Sequence, residues 1–257
     1  MKRGWRRAAL ALALGTSCGR AAACDTGAFG VALDIGHYRA APGAVSATGV
    51  AEFDYNLALA RQVLSALQRA GFARAFLIGE SGVPLMLADR TRIAAQADAR
   101  LFLSLHHDSV QPHYLSEWLV AGKPQRYSDL YRGYAIFVSA KSAQASRSIE
   151  FARLLGTYLR AQGLTPSLYH AEAIPGENRP LLDARLGIHR FDNLAVLRTA
   201  TMPAVLLESG VIVNRQEEMA AADGSRGRHV AQAVTAAVTG MCGSMTDGRA
   251  QRSVPTR

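Results

Sequence analysis

One stretch of the chain, Leu101 to Asp108, constrains the fold more than any other. It reads Leu-Phe-Leu-Ser-Leu followed by His106, His107 and Asp108. A short apolar run of this kind predicts a buried strand, and the polar side chains would then lie at its carboxyl end. Binding and catalytic groups of open α/β sheets collect at that end of the strands. The stretch therefore predicts a buried strand with a functional site at its exit.

Two further segments repeat this pattern. Val31 to His37 reads Val-Ala-Leu-Asp-Ile-Gly-His, and Ala204 to Gly210 reads Ala-Val-Leu-Leu-Glu-Ser-Gly. Each is a short buried-strand pattern that ends near a residue able to bind a metal or transfer a proton, which is His37 in the first segment and Glu208 in the second. The carboxyl ends of parallel strands lie at one edge of a sheet, so these residues are expected to converge there.

The first half of the chain alternates strand and helix patterns. We predict, in order, a strand at Phe29–Asp34, a helix at Glu52–Ala70, a strand at Phe72–Ile78, a helix at Leu85–Ala97 and the strand that ends at His106. Such alternation predicts an α/β fold with a mostly parallel or mixed central sheet flanked by helices on both faces. A chain of 257 residues is most simply a single domain at this size.

The second half is less regular. We predict strands at Tyr134–Ser139, Leu194–Leu197 and Ala204–Glu208, helices at Ser146–Ala161 and Arg228–Val238, and a short acidic turn capped by Asn214. Two excursions, Gln111–Arg132 and Thr165–Asn193, lack any sustained periodicity. The first is interpreted as a long surface insertion and the second as an irregular excursion. Loops of this length inside a compact domain are usually functional or mobile.

The first 23 residues have the pattern of an export signal. A basic start is followed by the apolar run Ala8–Leu14 and by Ala21-Ala22-Ala23 before Cys24. We therefore assign residues 1–23 to a signal peptide, 24–243 to the catalytic domain and 244–257 to a disordered basic tail. The protein is expected to be exported to the periplasm or cell envelope. Simple cleavage is favoured over lipidation at Cys18, because Gly15 stands where a lipidation signal normally has Leu.

Charge and hydropathy exclude two classes of partner. The formal charge is +9, but residues 1–23 carry five basic and no acidic residues, which leaves +4 for the rest of the chain. That weak, scattered excess argues against nucleic acid and suits an anionic cell-envelope polymer. No stretch approaches the roughly 20 apolar residues of a permanent membrane span.

Two cysteines remain after the predicted signal, Cys24 and Cys242. An exported protein meets an oxidising compartment, so the two are expected to pair and to join the ends of the domain. The alternative is two free thiols, because Cys24 would be the first residue of the mature chain.

The residues at the strand exits fit a hydrolytic zinc site. Such a site commonly uses two His and one Glu with one position open for water, and His37, Glu52 and His106 can supply that set. Glu208 is the candidate general base. Each residue also has an ordinary interpretation: a surface histidine, a first-turn glutamate that answers the helix dipole, or a buried glutamate paired with arginine. Spacing alone does not decide between these interpretations.

Six ordered motifs resemble those of a known enzyme family. They are Leu33-Asp-Ile-Gly-His37, Glu52-Phe-Asp-Tyr-Asn-Leu-Ala58, Arg92 with Ala97-Asp98, Ser104-Leu-His-His-Asp108, Asn193-Leu-Ala-Val-Leu-Arg198 and Pro203-Ala-Val-Leu-Leu-Glu-Ser-Gly210 with Asn214. In this order they resemble the zinc-dependent N-acetylmuramoyl-L-alanine amidases of the amidase 3 type, and the match spans roughly residues 31–214. Their joint order is far more specific than any single motif.

The resemblance implies a site and a reaction. The zinc ligands would be His37, Glu52 and His106, and Glu208 would be the catalytic carboxylate. The reaction would be hydrolysis of the amide between the lactyl group of N-acetylmuramic acid and the L-alanine of the peptidoglycan stem peptide. Other divalent ions also bind two nitrogens and one carboxylate, and zinc is the favoured one.

Several residues depart from the family pattern. Ile35 and Tyr38 stand where the family usually has Pro and Gly, and His107 stands where it usually has a small residue. His107 is the alternative third ligand, although the alignment of Ser104 and Asp108 favours His106. Two other functions stay open: a catalytically inactive peptidoglycan-binding module, and a zinc peptidase that acts on stem peptides of muropeptides.

The second excursion suggests a form of control. Some related amidases are silenced by a segment whose acidic residue covers the zinc until an activator protein removes it, and Glu172 or Glu177 could have that role. The alternative is a substrate-binding rim in which His170, Arg179 and Arg185 meet muropeptide carboxylates.

Overall fold

The computed structural model describes residues 24–250, with side chains described through residue 245. The predicted signal peptide, residues 1–23, lies outside the described residues, as do residues 251–257 of the predicted tail. The strands and helices are, in chain order, β1 (Val31–Ile35), α1 (Glu52–Arg69), β2 (Ala75–Ile78), α2 (Leu87–Gln96), β3 (Leu101–Asp108), β4 (Ser116–Val120), β5 (Lys123–Tyr127), β6 (Ala135–Val138), α3 (Ala145–Ala161), β7 (Leu181–Asp183), β8 (Ile188–Arg190), α4 (Ala195–Arg198), β9 (Ala204–Val211), α5 (Arg215–Ala222) and α6 (Ser225–Ala250).

Seven of the strands form one mixed sheet in the order β2-β1-β3-β9-β6-β8-β7. Strands β2, β1, β3 and β9 are parallel, and β6 joins them by pairing antiparallel with β9. Helices α1, α3 and α6 pack on one face of the sheet, and α2 and α4 pack on the other. The predicted α/β fold with helices on both faces is confirmed.

The strand period decides which residues reach the site. Successive side chains of a strand point to opposite faces, and on β3 Leu103 and Leu105 pack in the core below α1, whereas Phe102 packs below α2 and α4. His106 therefore lies on the same face as Phe102. Glu208 on β9 is the register partner of His106, so both side chains start from the α2/α4 face at the carboxyl end of the sheet.

Helix α1 places the third predicted ligand. It begins at Glu52 and buries one apolar face, which includes Leu59, Val63 and Leu67, against the sheet and α6. Glu52 is therefore in the first turn, as predicted, and points toward the strand exits. The chain reverses after the helix at Gly71, whose φ of +91° is a conformation that favours glycine.

The predicted strand at Leu194–Leu197 is wrong. These residues form the short helix α4, in which the Arg198 amide donates a hydrogen bond to the Leu194 carbonyl oxygen. Val196 and Leu197 are consecutive, and both are buried in the core below α2. In a strand, consecutive side chains point to opposite faces, so only one of the two could enter this core. A short apolar run is compatible with either structure until its packing partner is known.

The two excursions contain more regular structure than predicted. The first holds the antiparallel hairpin β4–β5, whose turn residues Ala121 and Gly122 have φ values of +48° and +78°. The second contributes β7 and β8 to the main sheet. Most side chains of β4 and β5 are not buried, so no alternation of apolar and polar residues marks these two strands. Strands β7 and β8 have three residues each and are too short to show an alternation.

The last helix is longer than predicted. Helix α6 begins at Ser225 and extends to Ala250, past the domain end expected at residue 243 and into the segment interpreted as a disordered tail. Val230, Val234, Val238 and Met241 bury one face of α6 in the core. A helix anchored in this way extends easily, because adding a turn is far less costly than starting one. Among the described residues, no helix has both the length and the apolar character of a membrane span.

A disulfide joins Cys24 to Cys242, with Cα atoms 5.3 Å apart. The expected pairing is confirmed, and the alternative of two free thiols is wrong. The bond connects the start of the domain to helix α6 across 218 residues of sequence. Closing so long a loop removes much conformational entropy from the unfolded chain.

Removal of this bond is expected to destabilise the domain strongly. We predict that the double variant Cys24→Ser, Cys242→Ser loses about 2–5 kcal/mol of unfolding free energy, measured by urea denaturation of the oxidised proteins. Adding a reductant should lower the stability of the natural protein to that of the variant and leave the variant unchanged. Equal denaturation midpoints for the two oxidised proteins would contradict this prediction.

Candidate metal centre and active site

Three predicted ligands lie together at the carboxyl edge of the sheet. The His37 Nε2 atom lies 3.0 Å from Glu52 Oε2, and the His106 Nδ1 atom lies 3.1 Å from Glu52 Oε1. One ligand atom from each residue falls within 4.8 Å of the other two. Neighbouring ligands of a tetrahedral zinc ion are about 3.4 Å apart, given bonds of about 2.0–2.1 Å. The cluster therefore fits a small divalent cation in both donor chemistry and spacing.

Two glycines allow the cluster to form. A side chain on Gly36 would overlap the His106 ring, and one on Gly43 would overlap Glu52 and His37. Gly43 also has a φ of +82°, which favours glycine. Because Gly36 and Gly43 have no side chains, the loop after β1 leaves space for the two imidazoles and the carboxylate.

Glu52 is held in the charged form. Burial raises the pKa of its carboxyl, but hydrogen bonds and charge interactions with His106 and His37 outweigh burial and hold that pKa below its ordinary value. The Ala44 amide and the Asn56 side-chain amide also donate to its oxygens, each at 3.0 Å. A buried, anionic carboxylate with fixed orientation is suited to binding a cation.

His107 points away from this cluster. Its Nδ1 atom lies 2.8 Å from Asn56 Oδ1 on helix α1, and its ring is buried. Burial lowers the pKa of His107 to about 3, against the opposing charge of Glu52. The structure thus brings His106, not His107, to His37 and Glu52, as the alternation of strand β3 requires.

Glu208 faces the cluster across a polar cavity. The cavity has a volume of about 310 Å³, and its lining includes His37, Glu52, His106, Asp108, His170, Glu177 and Glu208. Burial raises the pKa of Glu208 well above its ordinary value, and the charges of Asp108 and Glu52 add to this effect. Its Oε2 atom is buried without a hydrogen-bond partner. A carboxylate with raised basicity and a free oxygen is suited to accept a proton.

His170 links the second excursion to strand β3. Its Nε2 atom lies 2.8 Å from Asp108 Oδ2, and its Nδ1 atom lies 2.8 Å from Glu177 Oε2. Carboxylate oxygens only accept hydrogen bonds, so both ring nitrogens must donate and the imidazole is cationic. Sequence reasoning did not find this triad, because the residue that orients Asp108 lies 62 positions away.

The acidic residues of the second excursion do not cover the metal cluster. Glu172 accepts a hydrogen bond from the Tyr131 hydroxyl at 2.9 Å, and Glu177 is paired with His170. Glu177 and His170 instead line the cavity wall. These contacts argue against the covering role of Glu172 and Glu177. They also leave His170 without a free ring nitrogen for a muropeptide carboxylate, because both nitrogens are paired with carboxylates of the protein.

A buried arginine contacts the backbone of His37. Arg90 on α2 pairs with Asp34 at 2.7 Å, with both side chains almost fully buried, and its Nη2 atom donates to the His37 carbonyl oxygen at 2.7 Å. Ser104 donates to the other Asp34 oxygen at 2.7 Å. His37 has a φ of +67°, which is strained for a residue with a side chain. Arg90 therefore stabilises the backbone conformation that aims the His37 ring at Glu52.

Comparison with known proteins identifies the family. Residues 31–240 match the amidase 3 family model, described as N-acetylmuramoyl-L-alanine amidase. The chain belongs to the amidase 3 family. The matched region contains every predicted site residue and most of the described fold. The protein is thus a hydrolase of the N-acetylmuramoyl-L-alanine amidase class.

Individual amidases are similar over most of this domain. AmiA of Salmonella typhimurium is 27% identical over an alignment of 197 residues, which covers 73% of this chain and 67% of AmiA. The catalytic domain of CwlV from Paenibacillus polymyxa superposes with a TM-score of 0.62 and 28% identity, covering 82% of this chain and 97% of that one. Ami1 of Mycobacterium smegmatis superposes with a TM-score of 0.67 at 20% identity, covering 85% and 99% respectively; that likeness concerns the fold.

The support of His37 by Arg90 can be tested in this amidase. We predict that Arg90→Lys lowers zinc affinity by about 10- to 100-fold, the range found when a residue that orients a ligand is changed. Lysine keeps the charge beside Asp34 but cannot reach the His37 carbonyl at the same time. Zinc affinity would be measured by competition with a chelator, with the exposed Arg92→Lys on the same helix as the matched control. Equal affinities in the two variants would contradict the assignment.

The triad around His170 predicts a pH dependence of stability in this amidase. Burial lowers the pKa of His170, but the charge and hydrogen bond of Asp108, the hydrogen bond of Glu177 and the charge of Glu208 outweigh burial and raise it to about 10. The folded pKa exceeds the unfolded value of about 6.5. The stabilisation is therefore complete below about pH 6.5 and lost as pH rises toward 10. Thermal unfolding measured from about pH 6.5 to about 10 should show a smaller loss of stability in His170→Gln than in the natural protein. Equal losses of stability in the two proteins would contradict the prediction.

Proposed function

We propose that the chain is a zinc-dependent N-acetylmuramoyl-L-alanine amidase that cleaves the amide between the lactyl group of N-acetylmuramic acid and the L-alanine of peptidoglycan. The observation that carries the proposal is the convergence of His37, Glu52 and His106 in a cavity shared with Glu208. Membership of the amidase 3 family supports the substrate. The three clustered residues would hold the zinc ion.

The roles of the residues follow from their positions. When bound, zinc would supply a Lewis acid that polarises the scissile carbonyl. Glu208 would accept a proton from the attacking water and transfer it to the leaving nitrogen of L-alanine. Glu52, which is buried and accepts hydrogen bonds from the Ala44 amide and the Asn56 side-chain amide, would be the anionic ligand beside the two histidines. The amide C–N bond breaks, a C–O bond forms, and a carboxylate and an amine leave.

The proposed location is outside the cytoplasm, in the periplasm or cell envelope. The disulfide between Cys24 and Cys242 supports this location, because such bonds persist in oxidising compartments. Peptidoglycan would then be the direct partner of the enzyme. An activator protein would be needed if Glu172 or Glu177 covered the metal. Both glutamates are instead paired with other residues, so their contacts do not support a requirement for an activator.

The test is a digestion of purified peptidoglycan followed by mass spectrometry. The mature protein should release stem peptides that begin with L-alanine, whereas a metal-stripped sample should not, and zinc should restore release. Comparing a disaccharide-peptide with the free stem peptide separates the amidase from a zinc peptidase. Binding of peptidoglycan without release would instead indicate an inactive binding module and would overturn the proposal.

A further inference from the structure

A second pocket opens onto the same cluster from the α2/α4 face of the sheet. It has a volume of about 350 Å³ and shares His37 and His106 with the polar cavity. Leu206 and Val196 form part of its lining from β9 and α4, and residues 85–87 from the start of α2. Helix α4 is only four residues long, which leaves room for the pocket between it and the start of α2. Any amide bound at the cluster therefore lies between a polar cavity and this pocket.

The pocket has an exposed apolar rim. Val83 is 60% exposed, Met86 74% and Leu87 53%, and they belong to the apolar run Val-Pro-Leu-Met-Leu that leads into helix α2. Met86 and Leu87 themselves line the pocket. Exposed apolar groups that are grouped around a cavity commonly mark a binding site. Here the apolar surface leads inward to residues already placed at the reaction centre.

The lining offers no free charge to a ligand. Asp34 and Arg90 border the pocket, but they pair with each other at 2.7 Å and are almost fully buried. The pocket therefore suits a neutral, apolar group. Its volume is ample, because an apolar cavity of about 150 Å³ already binds benzene.

If the proposed function holds, the position of Glu208 decides which half of the substrate enters the apolar pocket. The leaving nitrogen must lie within reach of Glu208 to receive its proton. Glu208 lines the polar cavity with Asp108 and His170, so the amine half of the amide lies there. The acyl half then lies on the other side of the scissile bond, where His37 and His106 also border the apolar pocket.

We propose that this pocket is an acyl-side subsite, and that the enzyme also hydrolyses N-acyl-L-alanyl peptides whose acyl group is neutral and apolar, such as hexanoyl. In this reaction one water is consumed, the amide C–N bond breaks and a C–O bond forms. The products are the carboxylate of the acyl group and the peptide with a free amino terminus. The pocket selects among acyl groups by the apolar area that each one buries.

The first measurement compares N-hexanoyl with N-acetyl forms of one L-alanyl dipeptide. Each fully buried methylene strengthens binding about fourfold, so four extra carbons that are only partly buried should raise kcat/KM at least about tenfold. Calorimetric binding of both compounds to the zinc-loaded Glu208→Gln variant gives the same comparison without turnover. It should show a similar preference in Kd.

Substitution at the rim assigns the preference to this pocket. Met86 is the N-cap residue of α2 and makes no side-chain capping hydrogen bond, and aspartate is favoured at that position, so Met86→Asp should fold. It should reduce the hexanoyl-to-acetyl ratio at least about fivefold, through the charge placed at the rim. The matched control is Met219→Asp on α5, since Met219 is 69% exposed and is not among the pocket residues; it should leave the ratio unchanged.

The outcomes separate this proposal from the proposed function. If peptidoglycan is cleaved but the hexanoyl-to-acetyl ratio is near one in both measurements, the subsite is overturned and the amidase function stands. If nothing is cleaved but Glu208→Gln prefers the hexanoyl compound, the pocket binds the acyl group, whereas the amidase function and the proposed hydrolysis of N-acyl-L-alanyl peptides are both overturned. A preference that Met86→Asp does not change would place the acyl group elsewhere and would also overturn the subsite.

Discussion

Replacing Glu208 by glutamine is expected to lower kcat for peptidoglycan by about 10²- to 10⁴-fold, the range attributed to a positioned general acid or base. Glutamine has the same shape as glutamate but cannot accept the proton of the attacking water. Burial and the neighbouring carboxylates raise the pKa of Glu208, and this greater basicity is the property that the variant loses. The rate of stem-peptide release is the measurement.

The fold and the metal cluster should survive this change. Glu208 is absent from the three residues that form the cluster, so zinc content and thermal stability of Glu208→Gln should match those of the natural protein. Glu80→Gln is the matched control, because Glu80 pairs with Arg61 at a half-exposed position outside the cavity. A Glu208→Gln variant that keeps more than about a tenth of kcat would rule out the base role.

Adjacent histidines on β3 are expected to respond in opposite ways to alanine substitution. His106→Ala removes one of the three clustered ligands, and we expect zinc affinity to fall by more than the about 10- to 100-fold that follows loss of a merely orienting residue. His107→Ala should retain zinc binding. It should instead lower stability by about 1–3 kcal/mol, because the buried Asn56 amide loses its hydrogen-bond partner.

Two measurements on each variant decide the assignment. Zinc affinity by chelator competition reports the ligand role, and urea denaturation of the metal-free protein reports the structural role. Strong loss of zinc by His107→Ala, with His106→Ala unaffected, would reverse the assignment of the ligand. The comparison is sharp because the two residues are neighbours in sequence and differ mainly in the face of β3 that they occupy.

The sequence predicted the centre of the fold well for a physical reason. Strands β1, β3 and β9 are buried on both faces, so their apolar runs are visible without knowledge of their neighbours. Each run leads to a polar residue, and the parallel arrangement brings His37, His106 and Glu208 to one edge. Glu52 was predictable because the helical period of α1 starts at that residue.

The rim of the site could not be predicted in the same way. Whether residues 195–198 form a helix depends on the core that Val196 and Leu197 enter together. The pairing of His170 with Asp108 and Glu177 depends on how the second excursion folds back on the sheet. The Trp118 indole donates to the Ala47 carbonyl oxygen at 2.7 Å and so fixes the hairpin through a contact that no local pattern indicates.

The register between β3 and β9 has an evolutionary consequence. His106 and Glu208 are partners on adjacent strands, so backbone hydrogen bonds set their spacing, and no other strand lies between them. The excursions that carry His170 and the hairpin lie outside this pair of strands. Insertions or substitutions there can change which substrates are accepted while the reacting groups keep their distances. Selectivity in this lineage is therefore free to diversify on a constant chemical core.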